Sequence, residues 1–190
     1  MTIPILHTHR LLLREIVEAD AGAIMQIRGD YEVTRHNIGA AYTDIAQAQR
    51  LIAGIREDCA AGVPRWGITL KPDTLLIGMV GFNTLSETDR RASIGFDLAQ
   101  AHWGSGIMSE ALRCVLTYGF ETLNLNRIEA DTSEHNTASQ ALLRKLGFRE
   151  EGRQREQFYE DGAFHDLVLW GLLRREYPPN PPPRPAPAPA

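Results

Sequence analysis

Hydrophobic residues recur every three to four positions in four stretches of the chain, and this spacing predicts amphipathic helices. The first two stretches begin at Asp20 and Asp44, the third follows Gly106, and the fourth begins at Asn136. Asp and Asn are residue types that cap helix N-termini, which supports three of these starts. Gly147, directly after the fourth stretch, is a residue type that ends helices. The pattern therefore predicts four helices, over about 20–27, 44–61, 107–123 and 136–146.

The segments between these helices predict strands, because they are short, apolar and bounded by turn residues. Seven such segments are 10–16, 65–70, 75–83, 91–98, 127–132, 148–158 and 163–172. Helices and strands mix without strict alternation, so we expect one α/β domain over 8–177 with a mixed sheet of six to seven strands flanked by helices. Residues 178–190 are almost entirely proline and alanine, which predicts an extended, disordered tail.

Composition narrows the function classes. A net charge of -4 over 190 residues argues against a nucleic-acid or anionic-membrane partner. We find no signal peptide and no apolar run of the roughly 20 residues that a membrane span needs, so we expect a cytoplasmic protein. The two cysteines, Cys59 and Cys114, lie in predicted helices with no Cys or His at metal-ligand spacing. This favours buried small residues over a disulfide or a nucleophile, and we expect no metal.

The most distinctive stretch is 102–111, between a predicted strand and a predicted helix. Gly104 and Gly106 allow a tight turn, and the following helix adds unpaired N–H groups and the positive end of its dipole. This arrangement favours a phosphate-bearing ligand, although an ordinary strand-to-helix turn would look the same. A dinucleotide-binding oxidoreductase fits poorly, because Ser109 stands where the third glycine of that motif belongs. No Gly-Lys-Ser/Thr follows, which excludes a P-loop.

A second strand–helix unit follows, in which the helix opens with Asn-Thr-Ala-Ser at 136–139 and the next strand begins at the Phe of Leu-Gly-Phe at 146–148. The order strand, Trp-Gly-x-Gly, helix, strand, Asn-x-Ala-Ser helix and Leu-Gly-Phe resembles the GNAT superfamily of N-acetyltransferases. Within it, the chain looks most like the group that acetylates the N-terminal alanine or serine of ribosomal proteins. The resemblance covers 10–177 and implies a mostly antiparallel sheet with one splayed strand pair. It also implies acetyl-CoA as co-substrate, a primary amine as acceptor, and a monomer or homodimer.

The resemblance implies that acetyl-CoA contacts the end of one strand, the glycine turn and the start of the last helix. The residues that match these positions are Phe96, Asp97, Leu98, Trp103, Gly104, Ser105, Gly106, Ile107, Met108, Ser109, Asn136 and Ser139. Backbone groups of Phe96 and Leu98 would pair with the pantetheine arm, and the turn would hold the pyrophosphate. Ala101 and Ser105 stand where the superfamily often has long polar or basic side chains, which implies weaker electrostatic capture.

The implied reaction is direct attack of a free amine on the thioester in a ternary complex. Ser139 would protonate the leaving thiolate, or it is a plain surface serine; Asn136 would bind the cofactor, or it is a plain N-cap. The glutamate proposed as base in the family is matched by Gln157 here, so we take its neighbour Glu156 as the candidate. In a regular strand Glu156 would point to the opposite face. Three other acids remain open as bases or as solvated surface groups: Glu134, Glu160 and Asp161. Water is the alternative proton acceptor if no carboxylate lies near the thioester.

Acceptor specificity is expected in the segments that the cofactor does not use. The candidate substrate-binding residues are Tyr31, Arg35, Asn37, Phe158 and Tyr159, with His36, Phe164 and His165 beside them. Arg35 and His36 could equally be ordinary surface residues. The acceptor is interpreted as a protein N-terminus, with a small amine (amino acid, polyamine or aminoglycoside) as the alternative. A non-catalytic acyl-CoA sensor is a third hypothesis, because the expected glutamate is missing.

Overall fold

The computed structural model describes residues 3–36, 40–160 and 162–178. Asn37, Asp161 and most of the predicted tail therefore lie outside the described residues. Within these ranges the α-helices are α1 (Ala21–Gly29), α2 (Tyr31–Thr34), α3 (Ile45–Ala60), α4 (Ile107–Thr117) and α5 (Thr137–Lys145). The strands are β1 (Leu6–His7), β2 (Leu11–Arg14), β3 (Arg65–Leu70), β4 (Leu76–Ser86), β5 (Arg91–Leu98), β6 (Arg127–Ser133), β7 (Arg149–Glu160) and β8 (Ala163–Leu173).

All eight strands belong to one sheet in the order β1-β2-β3-β4-β5-β6-β8-β7. Every neighbouring pair is antiparallel except β5 and β6, which confirms the mixed, mostly antiparallel sheet. The sheet has eight strands, one more than the upper end of the expected six to seven. The additional strand is β1, which has only 2 residues and is too short to show an alternating pattern.

The splayed strand pair is present between β5 and β6. These strands pair in parallel only where Arg91–Ser93 meets Arg127–Glu129. Beyond Ser93, β5 continues to Leu98 paired with β4 on its other side. The edge of β5 that faces β6 is therefore left without a neighbouring strand, and a gap opens in the sheet.

Two hydrophobic clusters hold helices against the sheet. One joins α1 and α3 to the sheet, with Ile24, Ile52 and Met79 among its buried members. The other joins α4 and α5 to the sheet, and Leu112 and Leu143 are fully buried in it. Each such leucine contributes roughly 1.5–3 kcal/mol by leaving water. This packing fixes the two helices whose N-termini border the gap.

The predicted helix starts agree with the structure, since Asp20, Asp44 and Asn136 are the N-caps of α1, α3 and α5. The region between α1 and α3, which lacks apolar periodicity, contains the single turn α2, capped by the Asp30 side chain. In the described part of the chain, no helix has the length and apolar character that a membrane crossing requires.

Candidate active site

A cleft of about 440 Å³ lies at the gap between the splayed strands. Its walls come from the end of β5, the glycine turn, the N-termini of α4 and α5, and the α2 region. The predicted cofactor residues found among its lining residues are Phe96, Asp97, Leu98, Trp103, Gly104, Gly106, Ile107, Met108, Ser109, Asn136 and Ser139. Positions that are up to 43 residues apart in the sequence, such as Phe96 and Ser139, thus meet in one cavity. Ser105 is the one predicted cofactor residue outside this lining.

The glycine turn has the conformation that its sequence predicts. Gly104 and Gly106 have φ values of +71° and +79°, in the left-handed region that favours glycine. Gly106 is the N-cap of α4, and the first N–H groups of a helix have no intrahelical partner. A Cβ at Gly104 would meet nothing within 4 Å, so the turn leaves room above its backbone. This cradle of backbone donors at a helix N-terminus fits a pyrophosphate.

Arg10 supports the turn from outside, a role that sequence reasoning missed. Its Nη1 donates to the carbonyl of Ser105 (3.0 Å) and its Nε donates to Glu110 Oε2 (2.7 Å). Glu110 Oε1 accepts from the Arg10 N–H (2.9 Å) and from the Thr8 hydroxyl (2.5 Å). Burial works against the charged form of Glu110, but the hydrogen bonds from Thr8 and Arg10 prevail and lower the pKa of its carboxyl group. The ion pair of Arg10 and Glu110 therefore braces the turn, which has no basic side chain at Ala101 or Ser105.

Two predicted cofactor side chains are already engaged within the protein. The Trp103 indole N–H donates to the Leu98 carbonyl (2.8 Å), which ties the turn to the end of β5. The Asp97 carboxylate is buried and pairs with Arg28 Nη2 at 2.7 Å. Asp97 therefore joins β5 to α1 and is not a free anion in the cleft.

The start of α5 is tightly organised. Asn136 Oδ1 accepts from the Ser139 N–H (3.0 Å), so the N-cap role of Asn136 is observed directly. Gln140 Nε2 donates to the carbonyls of Ser133 and Glu134, at 3.1 and 2.9 Å, and fixes the loop before the helix. Ser139 is half-buried in the cleft wall. The Ser139 side chain therefore borders the cleft at the N-terminus of α5.

The α2 region closes the other end of the cleft. Arg35 and His36 line it, and Arg35 Nη1 pairs with Glu32 Oε2 at 3.0 Å. Burial, with the neighbouring Arg35 charge, lowers the pKa of His36 and favours its neutral form. Tyr31 is 54% exposed and lies outside the lining. The predicted acceptor residues of this segment are thus divided between the cleft and the surface.

The hairpin of β7 and β8 departs from the regular alternation that the sequence suggested. The register shifts between Gln154 and Phe158, and Glu156 has a φ of +52° at this irregularity. The Glu156 N–H donates to Asp166 Oδ1 (2.9 Å). The expectation that Glu156 points opposite to its neighbours, which assumed a regular strand, therefore does not apply. Its side chain is exposed and is not among the described residues that line the cleft.

Phe158 and Tyr159 also lie outside the described lining of the cleft. The Phe158 ring contacts the ring of His165, with centroids 5.4 Å apart. Tyr159 and Phe164 form an edge-to-face pair at 5.0 Å, although both are more than 60% exposed. The hairpin thus presents aromatic side chains on the surface and not in the cleft.

Cys114 gives no support to a covalent acetyl-enzyme. Burial, with a smaller contribution from the Glu110 charge, raises the pKa of its thiol to about 11. A nucleophilic cysteine needs a thiolate near neutral pH, and this environment opposes it. The environment of Cys114 therefore opposes a role as nucleophile.

Comparison with known proteins identifies a domain family over most of the chain. The sequence profile of the Acetyltransferase (GNAT) domain matches residues 10–149. The chain is 40% identical over 173 residues to the uncharacterized N-acetyltransferase p20 of Bacillus licheniformis, covering 90% of this chain and 97% of that protein. It is 32% identical over 105 residues to the [ribosomal protein uS5]-alanine N-acetyltransferase of Escherichia coli, covering 55% of this chain and 54% of that protein.

A solved structure shares the fold. The spermidine N-acetyltransferase of Vibrio cholerae, in complex with CoA and spermine, superposes with a TM-score of 0.79 at 24% sequence identity. The match covers 90% of this chain and 99% of that chain. At this identity the likeness concerns the fold alone.

Proposed function

Because the chain belongs to the GNAT acetyltransferase family and is an acetyl-CoA-dependent acyltransferase, we propose that its acceptor is the α-amine of a protein N-terminus. The observation that carries this proposal is the charge of the cleft. Among the described lining residues the acids are Glu32 and Asp97, and each is paired with an arginine. A polyamine carries several positive charges and would need unpaired carboxylates for recognition. An N-terminus carries a single amine and needs no such carboxylates.

The exposed aromatic pair of the hairpin supports a macromolecular acceptor. Tyr159 and Phe164 keep 64% and 62% of their surface exposed in the free protein. Aromatic residues are enriched in protein–protein interfaces, because they bury much area with few rotatable bonds. The relative named for ribosomal protein uS5 acetylation points to the same acceptor class.

The proposed reaction assigns steps to the chain's own residues. Acetyl-CoA supplies an activated acetyl thioester. The N–H groups of the turn at Gly104 and Gly106 and of the first turn of α4 hold the pyrophosphate, and Arg10 supports that turn. As the C–S bond breaks, the Ser139 hydroxyl gives a proton to the departing thiolate and regains one from the nitrogen that has attacked, so the amide and free CoA leave with the serine unchanged. Asn136 keeps Ser139 in place through the N-cap bond.

The acceptor amine has to lose a proton before it attacks. An α-amine has a pKa near ~8, so a weak base is sufficient at neutral pH. Glu156 remains our proposed base, and its support is the fixed bulge that Asp166 holds. Because Glu156 is exposed outside the cleft, it would have to act through water. Replacing it with Gln should then lower kcat only at pH values below the pKa of the amine.

The test is release of free CoA from acetyl-CoA against matched acceptors. The panel contains peptides that begin with alanine or serine, the same peptides with an acetylated N-terminus, and spermidine, free amino acids and an aminoglycoside. We expect turnover with the free peptides and none with their acetylated forms. Turnover confined to spermidine or another small amine would contradict the protein acceptor. Tight acetyl-CoA binding without turnover would favour a sensor.

A further inference from the structure

Two histidines and a glutamate meet beside the end of the cleft that the α2 region closes, which we call the acceptor end. Glu134 and His135 form the loop between β6 and α5, and His165 lies on β8. The side-chain ligand atoms of these three residues all lie within 4.8 Å of one another. The sequence shows no metal motif here, because His165 is distant from Glu134 and His135 along the chain. The pairing of strands in the sheet brings these residues together.

Backbone pairing fixes this meeting point. β6 and β8 are antiparallel neighbours up to the pair Ser133 and Leu167. One residue further, the Glu134 N–H donates to the Asp166 carbonyl (3.1 Å), and the Asp166 N–H donates to Glu134 Oε1 (3.2 Å). The carboxylate of Glu134 is thereby held at the position where β8 presents His165.

The geometry of the side chains suits a metal ion. Glu134 Oε1 lies 3.9 Å from His135 Nε2, and the rings of His135 and His165 stand edge to face with centroids 5.3 Å apart. Ligand atoms that lie about 2.1 Å from a tetrahedral ion are about 3.4 Å from each other. Side-chain rotations that move the ligand atoms by about 1 Å would therefore complete the coordination of an ion by all three residues. Arg153 Nη1 lies 3.8 Å from the other carboxylate oxygen of Glu134, Oε2. The oxygen nearer to His135 is Oε1.

We propose that Glu134, His135 and His165 form a binding site for a divalent transition-metal ion of the Zn²⁺ type. Two imidazoles and one carboxylate are a ligand set that such ions prefer to Mg²⁺ or Ca²⁺, and they leave further positions for water. His135 also lines the cleft next to Asn136. A bound ion therefore stands at the acceptor end of the cleft and inhibits acetyl transfer without displacing acetyl-CoA. The inhibition rests on the proposed function, whereas metal binding does not.

Metal binding is tested on the full chain without an affinity tag, by titration with Co²⁺ and its visible absorption. We expect one equivalent of Co²⁺ to bind with a low-coordinate spectrum, and Zn²⁺ to displace it. His135→Ala and His165→Ala should each weaken binding by at least about tenfold. His7→Ala is the matched control, since this exposed histidine lies outside the cluster. Absence of the spectrum, or equal binding by both cluster variants and the wild type, would overturn the site.

Glu134→Gln separates ligation from folding, because the amide oxygen can still accept the Asp166 N–H while losing the charge that attracts the ion. We expect an unchanged thermal midpoint and weaker Co²⁺ binding. In the CoA-release assay, Zn²⁺ should inhibit the wild type reversibly and inhibit His165→Ala at least about tenfold less strongly. Inhibition that is equal in both proteins contradicts the inhibitory role. Failure of every amine to react contradicts the proposed function but leaves the Co²⁺ result intact.

Discussion

The two ends of the cleft are built differently. We propose that the cofactor end binds acetyl-CoA through backbone N–H groups of the turn at Gly104 and Gly106, and helix α4 behind it is buried in the core. The proposed acceptor end uses side chains of the α2 region inside the cleft and exposed aromatic side chains of the β7–β8 hairpin outside it. Binding by backbone groups depends on the conformation of the turn and tolerates many side chains, whereas binding at an exposed surface depends on the identity of each side chain. One end can therefore stay the same while the other changes its acceptor.

The largest effect is expected from a substitution at the cofactor end. Gly106→Val places a β-branched residue at a φ of +79°, which strains or rearranges the turn. Losing about two hydrogen bonds to a charged phosphate should weaken acetyl-CoA binding about a hundredfold. Isothermal titration of acetyl-CoA measures this. The matched control is Gly54→Ala, a helical glycine whose Cβ would meet nothing within 4 Å. It should stabilise the protein by about 0.5–1 kcal/mol and bind normally.

A smaller effect concerns the support behind the turn. Glu110→Gln removes the charge that Thr8 and Arg10 bind, and should cost about 1–2 kcal/mol of unfolding free energy at pH 7. Because the pKa of Glu110 is lowered in the folded protein, its contribution is present above the unfolded-state value and is lost as the pH falls through the folded-state value. The free energies of unfolding of the wild type and the variant should therefore become equal at low pH.

Urea unfolding at pH 7, 5 and 3 measures the free energy of unfolding of both proteins and tests this expectation. Glu121→Gln, at an exposed acid just after α4, is the control and should change stability by less than about 0.5 kcal/mol at each pH. A Glu110→Gln deficit that persists undiminished at pH 3 would show that the ionised carboxylate is not what stabilises the turn.

The acceptor end should show an effect on KM alone. Tyr159→Ala removes one half of the exposed aromatic pair, and should raise the KM of a peptide acceptor about threefold to tenfold. The acetyl-CoA affinity should not change. Leu75→Ala, another exposed hydrophobic residue, is the control. An equal change in acetyl-CoA affinity would show that the two ends are not independent.

The smallest effect is expected at Cys114. Since its thiol has a pKa of about 11, iodoacetamide at pH 8 should alkylate it much more slowly in the folded than in the unfolded protein. Cys114→Ser should keep kcat within about twofold, because direct transfer needs no thiol. A large loss of kcat, together with an acetylated Cys114 in mass spectra, would indicate a ping-pong route.

The geometry of the glycine turn and of the α5 start, which we propose to hold the cofactor, was largely predictable from the sequence because its signals are local. Gly104, Gly106 and the N-cap Asn136 act within a few residues of themselves. Arg10 was not predictable, because it reaches Glu110 from 100 residues away. The acceptor end was less predictable for a related reason. The bulge at Glu156 and the meeting of His135 with His165 depend on how β6, β7 and β8 pair.

The edge strand β1 and the single turn α2 escaped detection for another reason. An amphipathic pattern needs several residues to become visible, and these elements have 2 and 4 residues. Their formation depends on neighbours in the fold, since so short a segment has little intrinsic stability.

We propose that Ser139 performs chemistry in a cleft that binds acetyl-CoA through its backbone. The most direct test measures kcat and the acetyl-CoA Kd for Ser139→Ala, with Ser86→Ala outside the cleft as control. We expect kcat to fall about 10²-fold to 10⁴-fold, with the Kd unchanged within about twofold. An unchanged kcat would contradict the role of Ser139. A parallel loss of acetyl-CoA binding would show that Ser139 acts in binding and not as a proton donor.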